Sequence, residues 1–228
     1  MKILSRTIAR DVQTVDYIDS SADASHKVLR NTYMLLSMTL LFSALTAGAT
    51  VAFAIPGPGM LLTLIGYFGL LFATTKLRNS AWGIATVFAL TGFMGYTLGP
   101  ILSHYLKMPG GSAIVMTAMA MTGLIFMGLS AYVLISKRDF SFMGGFLMIG
   151  MIVALVASLG AIFFQIPALS MTISAVMVLL MSGMILFETS NIIHGGETNY
   201  IMATVNLYVT IFNLFTSLLQ LLGFIEKE

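Results

Sequence analysis

Long stretches without a charged residue constrain this chain more than any other feature. No Asp, Glu, Lys or Arg occurs in residues 31–75, 79–106, 108–136, 140–187 or 198–225. A helix needs about 20 apolar residues to cross the hydrocarbon core of a membrane, so each run can hold at least one. Charged residues make up only 9% of the chain, whereas a soluble domain has about 25%. We therefore expect an integral membrane protein.

Turn-forming residues interrupt the two longest runs near their middles. Pro56, Gly57, Pro58 and Gly59 divide the first run, and Pro167 divides the second. Because proline and glycine favour tight turns, each long run is expected to form two helices. With one helix in each shorter run, the sequence predicts an all-α membrane protein with seven transmembrane helices in residues 31–228.

The N-terminal residues differ from the rest of the chain. Residues 1–30 carry nine charged side chains and few apolar ones, so we expect a flexible cytoplasmic tail with a short helix near residues 3–12. With seven spans and a cytoplasmic N-terminus, nine basic residues lie on the inner side of the membrane and two on the outer side. Such an excess of Lys and Arg is typical of the cytoplasmic side. The C-terminus is thus predicted outside; the alternative is a re-entrant last helix, which would return the C-terminus to the cytoplasm. The inner residues are Lys2, Arg6, Arg10, Lys27, Arg30, Lys76, Arg78, Lys137 and Arg138, and the outer ones are Lys107 and Lys227.

Polar residues near the C-terminus interrupt the apolar pattern. Glu188 adjoins an apolar run, where a charged residue costs about 2.5–3.5 kcal/mol to insert, and Asn191 follows one turn later. In the next run, polar residues recur at steps of four and three, which draws one stripe along a helix. We expect Glu188 to be protonated or tightly hydrogen-bonded within a polar seam. The stripe either lines a pathway or joins helices, and it consists of Asn206, Thr210, Asn213, Ser217 and Gln220.

Several functional classes find no support in the sequence. The chain has no cysteine, which excludes thiolate metal sites and thiol nucleophiles. The segment His194, Gly195, Gly196 and Glu197 is typical of a hinge loop, and His104 is predicted at the opposite side of the membrane. The serines show no nucleophile elbow. We therefore expect no catalytic residue, metal, cofactor or nucleic-acid partner.

Glycine is frequent, and most of it is expected to allow close approach of helices. Gly92, Gly95 and Gly99 include one GxxxG pattern. This pattern can mark a helix dimer, but a single match in a glycine-rich chain leaves the oligomeric state open.

Motifs spread over the chain resemble the Bax inhibitor-1, or transmembrane Bax inhibitor motif, family. The resemblance covers nearly the whole chain from His26 onward, with HKVLRNTY at 26–33, LGPILSHY at 98–105 and KRDFSFMGGFL at 137–147. Its most specific part lies in the last two helices. There the matching residues are Glu188, Asn191, Ala203, Leu207, Tyr208, Asn213, Leu214 and Phe215.

This resemblance implies a seven-helix bundle with the last helix at its centre. It also implies one of two activities. Some members are pH-sensitive calcium leaks that use an acid in each of the last two helices, but the second of these positions is Thr210 here. A lone acid cannot share a proton with a partner. The resemblance to the bacterial branch therefore favours an inner-membrane protein that binds the FtsH protease and restrains its degradation of membrane proteins.

The alternative is a calcium or proton leak through the seam at Glu188. In the favoured interpretation, the partners are FtsH, the membrane regulators associated with it and the lipid bilayer, and the C-terminus is periplasmic. The tail that begins at Met1 and ends at Ala24 is then the segment by which the protease engages this protein, because an unfoldase starts on an exposed terminus.

Overall fold

The fold consists of seven α-helices in the part of the chain that the structure describes. This computed structural model describes the backbone of residues 2–226 and the side chains of residues 24–161 and 163–226. A short 3₁₀ helix, Ser141–Met143, precedes α5. The helices are α1 (Lys2–Ala52), α2 (Gly59–Leu77), α3 (Trp82–Leu106), α4 (Gly111–Ser136), α5 (Gly144–Phe164), α6 (Pro167–Ile193) and α7 (Tyr200–Ile225).

Each of the seven helices is long and apolar enough to cross a membrane, which confirms the predicted number of spans and the all-α class. The two predicted breaks fall between α1 and α2 and between α5 and α6. Gly59 begins α2 with a φ of 78°, a conformation that glycine adopts without a steric cost. Pro167 is the first residue of α6, where its missing N–H has no intrahelical partner to lose.

Helix α1 is much longer than a membrane span. It contains 51 residues and is therefore about 75 Å long, more than twice the thickness of a hydrocarbon core. Its apolar part is Ala24–Ala52, so residues 2–23 form a helical extension where only a short helix over residues 3–12 was expected. The side chains of residues 1–23 lie outside the described part, and the flexibility of this segment stays a prediction.

Helix α7 occupies the centre of the bundle, as expected. It packs against α1, α3, α4 and α6, while α2 packs mainly on α3 and α5 mainly on α6. Four helices therefore surround α7 directly, and two lie further out. Helix α7 also has the largest buried share of the seven spans. Burial on several sides explains why this helix carries apolar residues around most of its circumference.

Two apolar cores lie against α7. The first joins α1 and α3 to α7 and includes Leu36, Leu90 and Leu207. The second joins α4, α5 and α6 to α7 and includes Ile185 and Leu218. Helix α7 therefore contributes side chains to both cores and connects the two halves of the bundle.

Small residues bring α3 close to α1. A Cβ added at Gly95 would meet the Ser43 carbonyl and the Thr46 hydroxyl, and one added at Gly99 would meet Thr50. A Cβ at Gly92 would meet the ring of Phe42 on the same helix α1. We call this contact the glycine seam, and it is defined by Gly92, Gly95 and Gly99. The GxxxG pattern therefore joins two helices of one chain.

Candidate functional site

Glu188 is buried between α6 and α7. Its side chain is only 8% exposed, and the hydroxyl of Thr210 lies 3.0 Å from one carboxylate oxygen and 3.1 Å from the other. A hydroxyl has one proton to donate, so the two oxygens share this donor. Thr210, where the resemblance implies a second acid in leak members, is thus the hydrogen-bond partner of Glu188.

A small polar cavity adjoins Glu188 on the side of the hinge. It has a volume of about 170 Å³. Asn191, Asn206 and Glu197 contribute polar side chains to its wall, and the apolar residues of the wall are Met184, Phe187, Ile192 and Ala203. The structure therefore brings Glu188 together with two of the predicted amides and with one residue of the hinge.

The polar stripe of α7 divides into two rows. Thr210 and Ser217 are buried, whereas Asn206 and Gln220 are exposed. Asn213 is half-buried, and its amide donates to the Val209 carbonyl of its own helix at 2.8 Å. Residues seven apart shift by only about 20° around a helix, so each row keeps its own side. The amide of Asn213 therefore bonds its own helix, and Thr210 is the residue of α7 that donates to Glu188.

The two residues after Glu188 connect α6 to other parts of the bundle. The Thr189 hydroxyl lies 3.4 Å from the Tyr33 hydroxyl of α1 and 3.3 Å from the Ser130 hydroxyl of α4. Ser190 accepts a hydrogen bond from the Phe140 N–H at 2.9 Å and donates to the Arg138 carbonyl at 3.3 Å. Ser190 thereby fixes the loop between α4 and α5. Sequence analysis missed both residues, because their partners lie on distant segments.

The segment between α6 and α7 is held in place rather than loose. Asn199 accepts hydrogen bonds from the first N–H groups of α7, at Ile201 and Met202, which satisfies donors that have no partner within the helix. Its own side-chain amide donates to the Arg78 carbonyl and to Asn79. The loop between α2 and α3 is thereby tied to the start of α7.

The residues predicted as a hinge have specific roles in this segment. Gly195 has a φ of 76°, which favours glycine. A Cβ on Gly196 would meet the side-chain oxygen of Asn191, so this position also requires a small residue. Glu197 accepts a hydrogen bond from the Asn199 N–H at 2.8 Å, while the ring of His194 lies 2.8 Å from the Ser190 carbonyl.

Tyr208 joins three helices at the centre of the bundle. Its side chain is buried, its hydroxyl donates to the Thr91 carbonyl of α3 at 3.2 Å, and it also bonds the Ser43 hydroxyl of α1. A buried tyrosine hydroxyl needs such partners. The sequence offered one signal, a tyrosine within an apolar run, but gave no indication of its partners.

No group of three or more histidine or carboxylate side chains that could hold a metal ion occurs among the described residues. His104 lies near the end of α3 and His194 follows the end of α6. With the helices alternating in direction, these two positions are at opposite ends of the bundle.

Comparison with known proteins decides the family. The family described as "Inhibitor of apoptosis-promoting Bax1" matches residues 25–227. The chain belongs to the Bax inhibitor-1 family. It is 56% identical over 205 residues to the Escherichia coli K12 protein named "Modulator of FtsH protease YccA", covering 90% of this chain and 93% of that one. It is also 58% identical over 196 residues to an uncharacterized Pseudomonas aeruginosa protein, covering 86% of this chain and 88% of its relative.

The residues that carried the resemblance to the Bax inhibitor-1 family have a common place in the structure. Ala203, Leu207, Tyr208, Leu214 and Phe215 are all buried along α7. They belong to the two apolar cores on either side of that helix. This part of the family pattern therefore describes how the central helix packs.

Single substitutions at Glu188 and Thr210 should show how much their hydrogen bond contributes to stability, apart from the packing of the two side chains. Glu188→Gln is expected to fold normally, because the amide oxygen can still accept from Thr210. Thr210→Val has a similar size but no hydroxyl, and it should destabilise the protein by about 1–3 kcal/mol because it leaves a buried acceptor without its donor. The midpoint of thermal unfolding in detergent measures both effects. Equal midpoints for the parent and Thr210→Val would contradict this account of the pair.

Proposed function

We propose that this chain is a modulator of a membrane-bound protease of the FtsH type, which it binds and whose degradation of membrane proteins it restrains. The observation that carries the proposal is the 56% identity to a protein named as such a modulator, extending over 90% of the chain. A second relative at the same identity is named an inner membrane protein. The chain itself catalyses no reaction in this proposal and acts by binding.

The structure suggests how a bound protein could restrain the protease. The loop between α4 and α5 is tied to Ser190, and the loop between α2 and α3 is tied to Asn199. These segments have little slack from which unfolding could begin. A protease that engages the N-terminal extension of α1 must then pull on a well-packed bundle, and it remains occupied while it does so.

Co-purification tests the proposal directly. The full chain with an affinity tag is expected to retain the protease after the membranes are solubilised in mild detergent. Raised amounts of the chain should also lengthen the half-life of an unrelated membrane substrate. A tagged seven-helix protein of another family, produced at the same level, is the control. Equal recovery of the protease with both baits, together with an unchanged substrate half-life, would reject the proposal.

An ion leak through the seam at Glu188 is the alternative, and the packing argues against it. The polar cavity lies on the hinge side of Glu188. Towards the other end of the bundle, Met181, Ile185, Leu214 and Leu218 are buried and belong to one apolar core. On the side of Thr210 that faces away from the hinge, apolar side chains therefore close the polar region around Glu188. Ion flux into liposomes that contain the full chain, compared with empty liposomes, is the measurement that would restore this alternative.

We also propose that the N-terminus is cytoplasmic and the C-terminus periplasmic, in the inner membrane of a bacterium. Seven spans place the ends on opposite sides, and the nine-to-two distribution of basic residues supports this direction. Reporter enzymes fused after Ile225 should be active only if they function in the periplasm, and fusions in the loop at Asn79 should show the opposite pattern. Cytoplasmic activity of the C-terminal fusion would mean that α7 does not cross the membrane.

A further inference from the structure

Positively charged side chains collect in a cleft near the beginning of the α1 span. Two cavities of about 680 and 220 Å³ have His26, Leu29 and Leu134 in both of their walls. No carboxylate occurs among the described residues that line them. We call this region the basic cleft, and its nitrogen-bearing side chains are His26, Lys27, Arg30, Lys137 and His194.

The basic cleft lies where membrane spans end. Three spans contribute to it: Ala24–Ala52 at its beginning, and Gly111–Ser136 and Pro167–Ile193 at their ends. This places the cleft at the depth of the lipid headgroups, on the side that carries most basic residues. Half-buried Tyr33 and Leu134 provide an apolar wall next to the charged groups.

The backbone around the basic cleft is fixed by hydrogen bonds. Lys137 directly follows α4 in a left-handed conformation, and its N–H donates to the Val133 carbonyl at 2.8 Å. At the end of α6, the contact of His194 with Ser190 fixes the start of the hinge. A Cβ placed on Gly195 would lie 3.8 Å from the Ser25 hydroxyl of α1, so the hinge reaches α1.

Asp139, two residues after Lys137, is the carboxylate nearest to that lysine in the sequence. Asp139 accepts a hydrogen bond from the Ser141 N–H at 2.8 Å and is not part of either wall. Among the described residues, the exposed basic side chains of the cleft border a space of about 680 Å³, which is within the range of about 300–1,000 Å³ found for ligand sites.

We propose that the basic cleft binds the phosphate headgroup of an anionic phospholipid. Lys and Arg side chains are the usual ligands of phosphate oxygens, and basic pockets between transmembrane helices bind anionic headgroups. Free phosphate has the same charge but would leave the wall of Leu29, Tyr33 and Leu134 without a function. The first methylenes of an acyl chain would cover that wall, which is why a lipid is the better occupant.

Native mass spectrometry of the full chain in detergent, titrated with phosphatidylglycerol or phosphatidylcholine, tests this site. The parent should retain phosphatidylglycerol in preference to phosphatidylcholine. The double variant Arg30→Gln/Lys137→Gln should bind phosphatidylglycerol at least about tenfold more weakly, because both of the removed charges attract an anionic headgroup. Arg30→Lys/Lys137→Arg keeps both charges and should bind as the parent does.

The matched control removes two positive charges from the same side of the bundle. Lys76 and Arg78 lie at the end of α2 and outside the basic cleft, so Lys76→Gln/Arg78→Gln should leave lipid binding nearly unchanged. Equal losses in the two double variants would show general attraction to the surface and overturn the proposal.

Displacement of the lipid by millimolar inorganic phosphate would assign the cleft to a soluble anion instead. If the double variant does not fold, Lys27→Gln, at an exposed position, replaces it in the same comparison.

Discussion

Removal of residues 2–20 is expected to lengthen the lifetime of this protein in cells severalfold. The extension of α1 before Ala24 is the longest segment that precedes a span, and an unfolding protease needs an exposed terminus on which to start. The seven spans remain complete after the deletion. The truncated protein should therefore still bind the protease, resist degradation and protect other membrane substrates. Pulse-chase labelling of the truncated and full-length chains measures the difference.

Two features make this experiment specific. Six basic residues remain on the inner side after the deletion, against two on the outer side, so the orientation should be unchanged. A control chain in which a Gly/Ser-rich segment of equal length replaces residues 2–20 should regain rapid turnover, because such a segment is flexible and exposed. Turnover of the truncated chain at the full-length rate would show that the protease starts elsewhere.

Protection of other substrates is a separate observation. If the truncated chain is long-lived but an unrelated membrane substrate is degraded at the usual rate, the extension is the engagement segment and the bundle does not restrain the enzyme. That result would contradict the proposed modulation of the protease, but it would support the N-terminal extension as the segment that the protease engages. The two half-lives should therefore be measured in the same cells.

Substitution in the glycine seam should have the largest effect on stability. Gly95→Ala places a methyl group against the Ser43 carbonyl of α1, and backbone atoms cannot move aside without shifting the helix. We expect a loss of about 3 kcal/mol, at the upper end of the usual overpacking cost, and a decrease of about 6–12 °C in the unfolding midpoint. Unfolding of the purified protein in detergent, followed by circular dichroism, measures it.

Gly123→Ala is the matched control for Gly95→Ala in the glycine seam. Both residues lie inside transmembrane helices, but a Cβ at Gly123 has open space around it. This change should leave stability unchanged or raise it by up to about 1 kcal/mol, because alanine favours helices more than glycine does. Similar decreases for both variants would show that the close approach of α3 to α1 does not determine the stability of the bundle.

The sequence was sufficient to predict the number of helices and their breaks. Charge-free runs and the residues around Pro56 and Pro167 reflect local requirements of a membrane span, so they can be read without knowledge of tertiary contacts. The length of α1 was not predicted, because the polar composition of its first residues favoured disorder and gave no signal of a continuous helix.

The candidate site was only partly predictable for a related reason. The position of Glu188 and the spacing of the α7 stripe are visible in the sequence, but the side of the stripe that faces α6 is not. Thr210 could therefore not be distinguished from Asn213 as the partner of Glu188. The contacts of Thr189 with Tyr33 and Ser130 involve three helices, and no sequence pattern records such a meeting.

The glycine seam also determines how the bundle should respond to mechanical force. A protease that pulls on the N-terminus applies its load along the axis of α1, parallel to the contact with α3. Sliding α1 past α3 would drive side chains such as Thr50 across the narrow space at Gly99, and it would break the Ser43–Tyr208 hydrogen bond at the same moment. Such shear loads many contacts together, whereas peeling breaks them one after another. Resistance to extraction would then depend on the shear strength of one helix pair more than on the equilibrium stability of the whole protein.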